Sequence, residues 1–350
     1  MSGDPAAPPH MQDMTHLTRR LFIGSASAIV LAATATRLPA QSAGWEAVAD
    51  RASGLDQLHS LIVARNGARV VEIAPRGPGL NGLANVKSVS KTLVAALTGA
   101  AIDRGELTLD TTLAQAAPSL IPNGADPRVA SLTVRDLITM RAGLERTSGG
   151  NYGAWVSSGN WVADALSRPF VAEPGGRMLY STGSIHVLGA VLAEVGNASL
   201  LDLARARLGR PLGIDIPPWT RDPQGRYLGG NEMALTPAAM LRFGEMIRQG
   251  GTWDGSRVLS ADWIAASFRP NTRSPYSGLS YGYGWFLGQS QGHDYALARG
   301  YGGQIIAVVP NLATTIVITS DPTLPARSDG YFGTLMDLIT DAIIPTARTA

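Results

Sequence analysis

A serine and a lysine three positions apart, Ser88 and Lys91, have the residue types and the spacing for nucleophilic catalysis. On a helix, residues three apart lie on one face and can reach each other. Lys87 and Lys91 are the only lysines in the sequence, against twenty-seven arginines. A buried lysine can lose its proton, whereas an arginine keeps its charge. We therefore predict that Ser88 is a nucleophile and that Lys91 is the base that activates it.

Two other serines could compete for this role. Ser90 is adjacent to Lys91 and therefore points away from it on a helix. Ser280 lies in the sequence Gly-Leu-Ser-Tyr-Gly, which fits the G-x-S-x-G turn of α/β-hydrolases. That turn requires a helix after the serine, but the segment after Ser280 is strand-like. It also requires an acid and then a histidine, and no acidic residue lies between Ser280 and His293. The sequence favours Ser88.

The composition excludes several functional classes. The chain has 350 residues, 45% of them hydrophobic, which is enough for a substantial core, and its net charge is only +2. Nothing in this charge balance indicates a nucleic-acid partner. Cysteine is absent, and His59, His186 and His293 occur singly without the paired spacing of metal ligands. We expect neither a metal nor a cofactor.

The first forty residues have the features of an export signal. A twin-arginine pattern, Thr18-Arg19-Arg20-Leu21-Phe22-Ile23, precedes a mainly apolar run to Ala33 and the small-residue end Leu38-Pro39-Ala40. The apolar run is too short to span a membrane comfortably, although an anchor is the alternative. We expect residues 1–40 to direct the protein to the periplasm or the exterior, with no stable membrane insertion after removal of the signal.

The pattern of elements predicts a single domain over residues 41–350. Two β-rich runs, 61–65 and 68–73, flank Asn66-Gly67, which is typical of a type I′ hairpin turn. Helical signals dominate residues 105–267, and strands return in the segments 283–287, 295–298, 304–309 and 314–319. We therefore predict an α+β fold in which both termini form one antiparallel sheet, flanked by helices and interrupted by a large helical insertion.

This division gives a sheet lobe, residues 41–87 and 281–350, and a helical lobe, residues 88–280. Ser88 stands at the junction of the two lobes. We expect the site to lie between them, as clefts between lobes commonly hold small-molecule sites.

With these elements placed, the sequence resembles the serine β-lactamase and penicillin-binding-protein superfamily, in particular the class C β-lactamases and the esterases and amidases related to them. Ser88-Val89-Ser90-Lys91 matches the S-x-x-K motif of that superfamily, Tyr180-Ser181-Thr182 is similar to its Tyr-x-Asn motif, and Gly300-Tyr301-Gly302-Gly303-Gln304 is similar to its late-strand motif. The resemblance covers nearly all of the chain after the signal and implies a β-lactamase-like fold.

Two departures from the family pattern concern the substrate. Thr182 stands where the family usually has asparagine, and the late-strand motif lacks the lysine that holds the carboxylate of a β-lactam in the family. Tyr301 or a nearby glycine replaces that lysine. The resemblance is therefore greater to the esterases and to the 6-aminohexanoate-oligomer hydrolases than to true β-lactamases.

The resemblance and the demands of acyl transfer together assign the remaining roles. We expect Tyr180 to protonate the leaving group and then to activate water, with its pKa lowered by Lys91. The backbone N–H groups of Ser88 and Gln304 would stabilise the oxyanion, and Gly302 and Gly303 would let the backbone approach the substrate.

Two aromatic residues of the helical lobe are candidates for the acyl pocket. Tyr152 and Trp155 lie in the glycine-rich segment 148–155, which we predict to be a loop. As hypotheses, they either cap the acyl pocket or pack the loop against the core.

The function predicted from the sequence is an exported serine hydrolase that cleaves a small ester or amide through an acyl-enzyme on Ser88, without a cofactor. Two alternatives remain. One is a β-lactamase or a D,D-peptidase-type cell-wall enzyme, and the other is a non-catalytic binding protein of the same fold.

Overall fold

The computed structural model describes residues 39–328 and 330–349. The predicted export signal falls outside the described residues, except for its last two residues, Pro39 and Ala40. These two open the first helix, which the sequence analysis did not predict.

One antiparallel sheet of eight strands forms the centre of the described part of the chain. Its strand order is β2-β1-β12-β11-β10-β9-β8-β7, and two two-stranded sheets, β3-β4 and β5-β6, lie outside it. The strands are β1 Leu58–Arg65, β2 Ala68–Ile73, β3 Ala84–Lys87, β4 Met233–Leu235, β5 Thr252–Trp253, β6 Ser256–Arg257, β7 Thr272–Arg273, β8 Ser280–Tyr281, β9 Phe286–Ser290, β10 His293–Gly300, β11 Gln304–Val309 and β12 Thr314–Ser320.

Helices cover both faces of this sheet and fill the segment between β3 and β7. The α-helices are α1 Pro39–Ser53, α2 Ser90–Asp103, α3 Leu113–Ala116, α4 Arg128–Ser131, α5 Val134–Ile138, α6 Tyr152–Val156, α7 Trp161–Leu166, α8 Thr182–Val195, α9 Leu200–Ala204, α10 Arg210–Leu212, α11 Pro237–Arg248, α12 Ala261–Ser267, α13 Tyr331–Leu338 and α14 Ile344–Thr349. Single turns of 3₁₀-helix occur at Pro118–Leu120, Gly149–Asn151 and Pro310–Leu312, and π-helical turns at Arg205–Gly209 and Ile339–Ile343.

The sheet joins the two ends of the chain, as predicted. β1 pairs antiparallel with β12, so that Ile62 lies opposite Val317. The β1-β2 hairpin turns at Asn66 and Gly67, whose φ angles of 52° and 79° are those of a type I′ turn. The predicted α+β fold, with its antiparallel sheet and helical insertion, is therefore confirmed.

The sheet extends beyond its predicted boundary at residue 281. β7 and the first residue of β8 precede that position and lengthen the edge of the sheet next to β9. Both strands are two residues long, too short for an alternating pattern to be recognised in the sequence.

The two central strands β11 and β12 are buried along their whole length, including their polar residues. Helix α11 packs against both strands. Helix α2 packs against α8 in the helical lobe. β3 ends immediately before Ser88 and also contacts β10, so this short strand ties the start of α2 to the sheet.

Among the described helices, none is by itself long and apolar enough to cross a membrane. One pair, Thr182–Val195 and Leu200–Leu212, passes the test of length and composition when taken together, with a bend of 83° between its members.

Candidate active site

The serine and the lysine of the S-x-x-K motif are in direct contact. Lys91 is the second residue of α2, and Ser88 lies in the turn that precedes the helix, two residues before its first residue. The Lys91 Nζ donates a hydrogen bond to the Ser88 Oγ over 2.9 Å. Ser88 therefore lies just outside the helix, but the predicted proximity of the two side chains is confirmed.

The Ser90 hydroxyl points away from Lys91. It donates to the carbonyl of Lys87 over 2.6 Å and accepts from the backbone N–H of Met233 over 3.1 Å. These bonds fix the turn before α2 against β4, so Ser90 has a structural role.

The Lys91 amine is buried, with 1% of the residue exposed. Besides Ser88, it donates to the carbonyl of Gly230 over 2.6 Å and to the Thr182 Oγ1 over 3.2 Å. Burial penalises the charged form and lowers the pKa of Lys91 from 10.5 to about 7. A neutral amine keeps two N–H groups for Gly230 and Thr182, which leaves its lone pair for the Ser88 hydroxyl.

Tyr180 precedes α8 and lies beside the same pair. The Lys91 Nζ is 5.0 Å from the centre of its ring. Burial raises the pKa of Tyr180, although a hydrogen bond with Ser88 and the charge of Arg299 act in the opposite direction. The prediction that Lys91 lowers this pKa is wrong, because desolvation dominates and the charge that opposes it is that of Arg299. Tyr180 is therefore a proton donor in its resting state.

Thr182 is the first residue of α8 and takes part in the same hydrogen-bond network. Its Oγ1 accepts from Lys91, and Ser148 bonds both to that Oγ1 and to the backbone N–H of Thr182, each over 2.9 Å. The threonine hydroxyl is thus occupied in orienting Lys91. Ser148 was not singled out in the sequence, since the contact links residues 34 positions apart.

Gln304, whose backbone N–H was predicted to stabilise the oxyanion, is not among the residues that line the cavity. Its side chain is fully buried and joins β11 to β12, with its Nε2 donating to the carbonyl of Ser320 over 2.7 Å and its Oε1 accepting from the Ser320 N–H over 3.2 Å. Its backbone lies opposite Gly300 in the β10-β11 ladder. The residue therefore does not line the site.

Gly302 and Gly303 also face away from the site. A Cβ on Gly302 would lie 2.4 Å from the carbonyl oxygen of Asp321, and a Cβ on Gly303 would lie 2.8 Å from Leu335 and from the ring of Tyr331. These glycines allow the β10-β11 turn to pack against the C-terminal segment. The prediction that they let the backbone approach the substrate is therefore wrong.

Gly300 and Tyr301 are the residues of this motif that line the cavity. Tyr301 is 52% exposed. Within residues 39–328 and 330–349, the backbone N–H groups of Ser88 and Tyr301 have no protein acceptor. Ser88 follows β3 and Tyr301 follows β10, and these two strands are in contact.

Tyr152 and Trp155 have different surroundings. The predicted loop is a 3₁₀ turn followed by α6. Tyr152 lines the cavity, and its hydroxyl accepts from Asn231 over 3.0 Å. Trp155 is fully buried and donates from its ring N–H to the carbonyl of Trp161 over 2.8 Å. Capping by Trp155 is therefore excluded, since its side chain belongs to the core.

A charged pair that the sequence analysis missed borders the nucleophile. The Lys87 Nζ donates to the Glu232 Oε1 over 3.0 Å, and Asn85 donates to the Glu232 Oε2 over 2.6 Å. Lys87 and Glu232 have φ angles of 50° and 67°, which are strained for residues with side chains. Such strain concentrates at functional sites, and both residues line the cavity.

Arg299 is the second missed residue. Its guanidinium lies over the rings of Phe332 and Phe286, 3.5 Å and 5.7 Å from their centres. It makes no hydrogen bond or ion pair with any protein group in the described part of the chain. Burial lowers the pKa of Arg299, with the nearby Tyr180 acting in the opposite direction. The sequence offered no signal, because nothing distinguishes this arginine from twenty-six others.

These residues surround a cavity of about 570 Å³, a size common for small-molecule sites. Three cationic residues, Lys87, Arg146 and Arg299, line it against one acidic residue, Glu232. Arg146 stacks on Tyr276 and bonds to its hydroxyl. The cavity therefore combines a serine, a buried amine and a phenol with an excess of positive charge.

Ser280, the competing serine, does not line this cavity. Ser280 is part of β8 and is followed by β9, not by the helix that a nucleophile elbow requires. It lines a second cavity, formed by residues such as Phe268, Leu287 and Asn311. Ser280 is therefore not placed for catalysis with Lys91.

Solved structures share this fold. A protein of Bacillus anthracis assigned as a 6-aminohexanoate-dimer hydrolase superimposes with a TM-score of 0.71 at 17% identity, over 84% of this chain and 80% of its own. EstCE1, described as a hydrolase with promiscuous acyltransferase activity, gives 0.71 at 19% identity, over 87% and 98%. A mutant of simvastatin synthase from Aspergillus terreus gives 0.66 at 16% identity, over 89% and 100%.

The sequence itself points to one family. No curated protein sequence matches the chain significantly. The family model described as Beta-lactamase matches residues 59–338, which include every residue of the cavity described above. The chain therefore belongs to the beta-lactamase family.

Proposed function

We propose that this chain is an exported serine hydrolase that cleaves a small ester or amide through an acyl-enzyme on Ser88. The contact of 2.9 Å between Ser88 and Lys91 carries the proposal, because the pKa of about 7 leaves a large share of Lys91 neutral at physiological pH. A neutral amine beside a hydroxyl is the pair that nucleophilic attack requires.

Acylation begins with transfer of the Ser88 proton to Lys91. The Ser88 Oγ attacks the carbonyl carbon of the substrate, and the electron pair of the carbonyl moves onto its oxygen. The backbone N–H groups of Ser88 and Tyr301 are the donors that would hold this oxyanion, in place of the Ser88 and Gln304 pair expected from sequence. Two such donors, fixed before the reaction, stabilise the charge without reorganisation.

Tyr180 completes the first half of the reaction. The tetrahedral intermediate collapses, the bond to the leaving group breaks, and the leaving oxygen or nitrogen takes the proton of the Tyr180 hydroxyl. The raised pKa of Tyr180 makes its phenolate a strong base, so it recovers a proton from the Lys91 ammonium nearby. In the second half, the same groups activate water to release the acyl group.

The charge of the cavity favours a substrate with a carboxylate. Arg299 presents a guanidinium without a protein acid in the described part of the chain, and Arg146 adds a second positive charge at the cavity. A planar guanidinium binds a carboxylate through two parallel hydrogen bonds. Arg299 would thus replace the lysine that is missing from the late-strand motif.

The structural neighbours support an ester or amide substrate, since one is assigned as a 6-aminohexanoate-dimer hydrolase and another is described as a hydrolase with promiscuous acyltransferase activity. The cell-wall alternative differs in its substrate, and retention of a labelled β-lactam on Ser88 would favour it. Export rests on the twin-arginine pattern at Arg19 and Arg20, and we propose a periplasmic or secreted protein.

Covalent labelling tests the nucleophile. Purified protein without residues 1–40 is treated with a fluorophosphonate probe, and turnover is measured on p-nitrophenyl esters, nitrocefin and short linear amides. Ser88→Ala should abolish labelling and turnover, whereas Ser280→Ala should retain both. Loss of labelling in Ser280→Ala alone would refute the assignment, and a folded wild-type protein that neither labels nor turns over substrate would support the non-catalytic alternative.

A further inference from the structure

The carbonyl that holds Lys91 belongs to a pair of glycines packed tightly on helix α8. A Cβ on Gly229 would lie 2.4 Å from the carbonyl oxygen of Ile185, and a Cβ on Gly230 would lie 2.8 Å from that of Thr182. Only glycine permits this approach. The position of the Gly230 carbonyl on Lys91 therefore depends on how Gly229 and Gly230 are held against α8.

His186 of α8 supplies a specific hydrogen bond to this segment. Its Nδ1 accepts from the backbone N–H of Gly229 over 3.3 Å, and its Nε2 lies 3.1 Å from the Asp222 Oδ2. A backbone N–H can only donate, so Nδ1 must be the unprotonated nitrogen and Nε2 must carry the hydrogen. The imidazole thus donates to Asp222 and accepts from Gly229.

Asp222 is fixed in the form that this tautomer needs. Its Oδ1 accepts from the backbone N–H groups of Gln224 over 3.0 Å and Arg226 over 2.7 Å. Burial raises the pKa of Asp222, but the hydrogen bonds from His186 and Arg226 outweigh it and hold that pKa below its usual value. The carboxylate is ionised, so its Oδ2 is an acceptor for the Nε2–H of His186.

Two tryptophans clamp the imidazole. His186 is fully buried, and the rings of Trp155 and Trp161 each lie 5.8 Å from its ring, centre to centre, in edge-to-face arrangements. Trp155, which does not cap the acyl pocket, thereby keeps the histidine ring in place. The ring cannot rotate to exchange its partners without displacing this cluster.

We propose that His186 is a positioning residue for Lys91. Asp222 fixes the tautomer of the His186 ring, and in that tautomer Nδ1 accepts from the N–H of Gly229. This bond keeps the Gly230 carbonyl in contact with the Lys91 amine. The inference rests on the proposed function in one respect, that Lys91 acts as the base. The chain of contacts runs from Asp222 to His186, to Gly229 and Gly230, and to Lys91, with no member other than Lys91 touching the Ser88 hydroxyl.

The Asp222→Asn variant tests the tautomer with an almost isosteric change. The amide oxygen is expected to take the place of Oδ1, since two backbone N–H groups point at it, and this leaves the amide nitrogen facing His186. The Nε2 of His186 must then accept, and its hydrogen moves to Nδ1. Nδ1–H and the N–H of Gly229 become two donors facing each other, and their bond is lost.

The small number of lysines allows the titration of Lys91 to be measured directly. Because Lys87 and Lys91 are the only lysines, protein labelled with ¹³C-lysine gives two side-chain signals whose pH titration can be followed directly. In the wild type the Lys91 signal should titrate with a midpoint at about pH 7. In Asp222→Asn the midpoint should fall, because a carbonyl acceptor that stabilises the ammonium has moved away.

Turnover provides the second measurement. Asp222→Asn should lower kcat by roughly 10- to 100-fold, the effect of a small misplacement of a reacting group, with KM much less affected. Adding His186→Asn should restore most of the loss, because the side-chain oxygen of asparagine reaches the place of Nδ1 and accepts from Gly229 whatever residue 222 is. Asp294→Asn, on the exposed part of β10, is the matched control and should change neither measurement.

A role in stability alone predicts a different outcome, in which the double variant is worse than either single variant. The inference is overturned if Asp222→Asn leaves the Lys91 titration unchanged, or if the double variant is no better than Asp222→Asn. The titration needs no substrate, so it decides the inference even if labelling of Ser88 refutes the proposed function.

Discussion

The Lys91 amine lies 2.9 Å from the Ser88 hydroxyl while its own pKa is lowered to about 7 by burial. The two facts have one cause. The Lys91 side chain lies within the helical lobe, where Thr182 and Gly230 enclose its amine and exclude water from it. Burial of the Lys91 amine therefore both places it beside Ser88 and gives it a pKa suited to a general base.

The first prediction concerns the pH dependence of catalysis. The neutral form of Lys91 is the active base, and it accumulates as the pH rises through the pKa. The value of kcat/KM should therefore increase with pH through a midpoint at about pH 7, the pKa of Lys91, and level off at higher pH. A pH profile on a neutral ester, whose own ionisation does not change, measures this.

Lys91→Arg is the matched variant, because it keeps the charge but cannot give up its proton. Its turnover should fall by roughly 10²- to 10⁴-fold, the usual contribution of general-base catalysis. A Lys91→Arg enzyme with near-normal turnover and an unchanged profile would show that the lysine acts only through its charge.

The second prediction concerns the choice of substrate. If Arg299 binds a carboxylate, a monoester of a dicarboxylic acid should be cleaved with a higher kcat/KM than the corresponding diester. Arg299→Gln should remove this preference mainly through KM for the acidic substrate, and by about 1.5–3 kcal/mol if one charged hydrogen bond is lost. Kinetics on the two esters, measured for both proteins, give the result.

Arg269→Gln, on the loop after α12 and away from the cavity, is the control for a general change in charge. An unchanged ratio between the two esters in Arg299→Gln would mean that the guanidinium only packs on Phe286 and Phe332.

The third prediction separates the two aromatic residues of the segment 148–155. Trp155→Ala should lower the melting temperature strongly, because truncating a fully buried tryptophan costs about 3–5 kcal/mol. Tyr152→Phe should leave the melting temperature nearly unchanged but alter the ratio of activities on short and long acyl chains, since its hydroxyl lines the cavity beside Asn231. Thermal unfolding and a series of p-nitrophenyl esters test both statements. Equal selectivity in wild type and Tyr152→Phe would remove Tyr152 from the acyl pocket.

Contacts between residues close together in the sequence could be predicted, whereas contacts between residues far apart in the sequence could not. Ser88 and Lys91 are local, so the spacing of three residues was sufficient to place them together. The Asn66-Gly67 turn was also local, and its positive φ angles agree with the prediction. Arg299 and Glu232 acquire their positions only when β10 and β4 meet β3, the strand that ends before Ser88, and no pattern within either segment carries that information.

The errors have physical reasons as well. The backbone N–H of Gln304 was predicted as an oxyanion donor because the segment 300–304 resembles the late-strand motif of the family. In the structure the chain turns at the glycines of this segment, and the reversal moves the exposed position back to Tyr301 while Gln304 enters the sheet. For Tyr180, the expected influence of a positive lysine was outweighed by burial, which acts on both groups at once.

The last prediction concerns the alignment of the two oxyanion donors. Gly300 precedes Tyr301 and allows β10 to lie close to β3. A Cβ at this position would lie 2.4 Å from the carbonyl oxygen of Val86 in β3 and 3.1 Å from the Lys87 Cβ. Gly300→Ala should therefore force β3 and β10 apart and move the N–H of Ser88 away from that of Tyr301. We expect kcat to fall by roughly 10²- to 10³-fold, the effect of losing one oxyanion donor.

Gly159→Ala is the control for this change, because no atom lies within 4 Å of a Cβ there. It should leave both kcat and the melting temperature nearly unchanged. Because the two donors act on the transition state more than on the bound substrate, KM of Gly300→Ala should change much less than kcat. Single-turnover acylation of the folded variant measures the effect directly. If Gly300→Ala acylates at the wild-type rate, β10 does not supply an oxyanion donor, and the second N–H must come from another segment of the cavity wall.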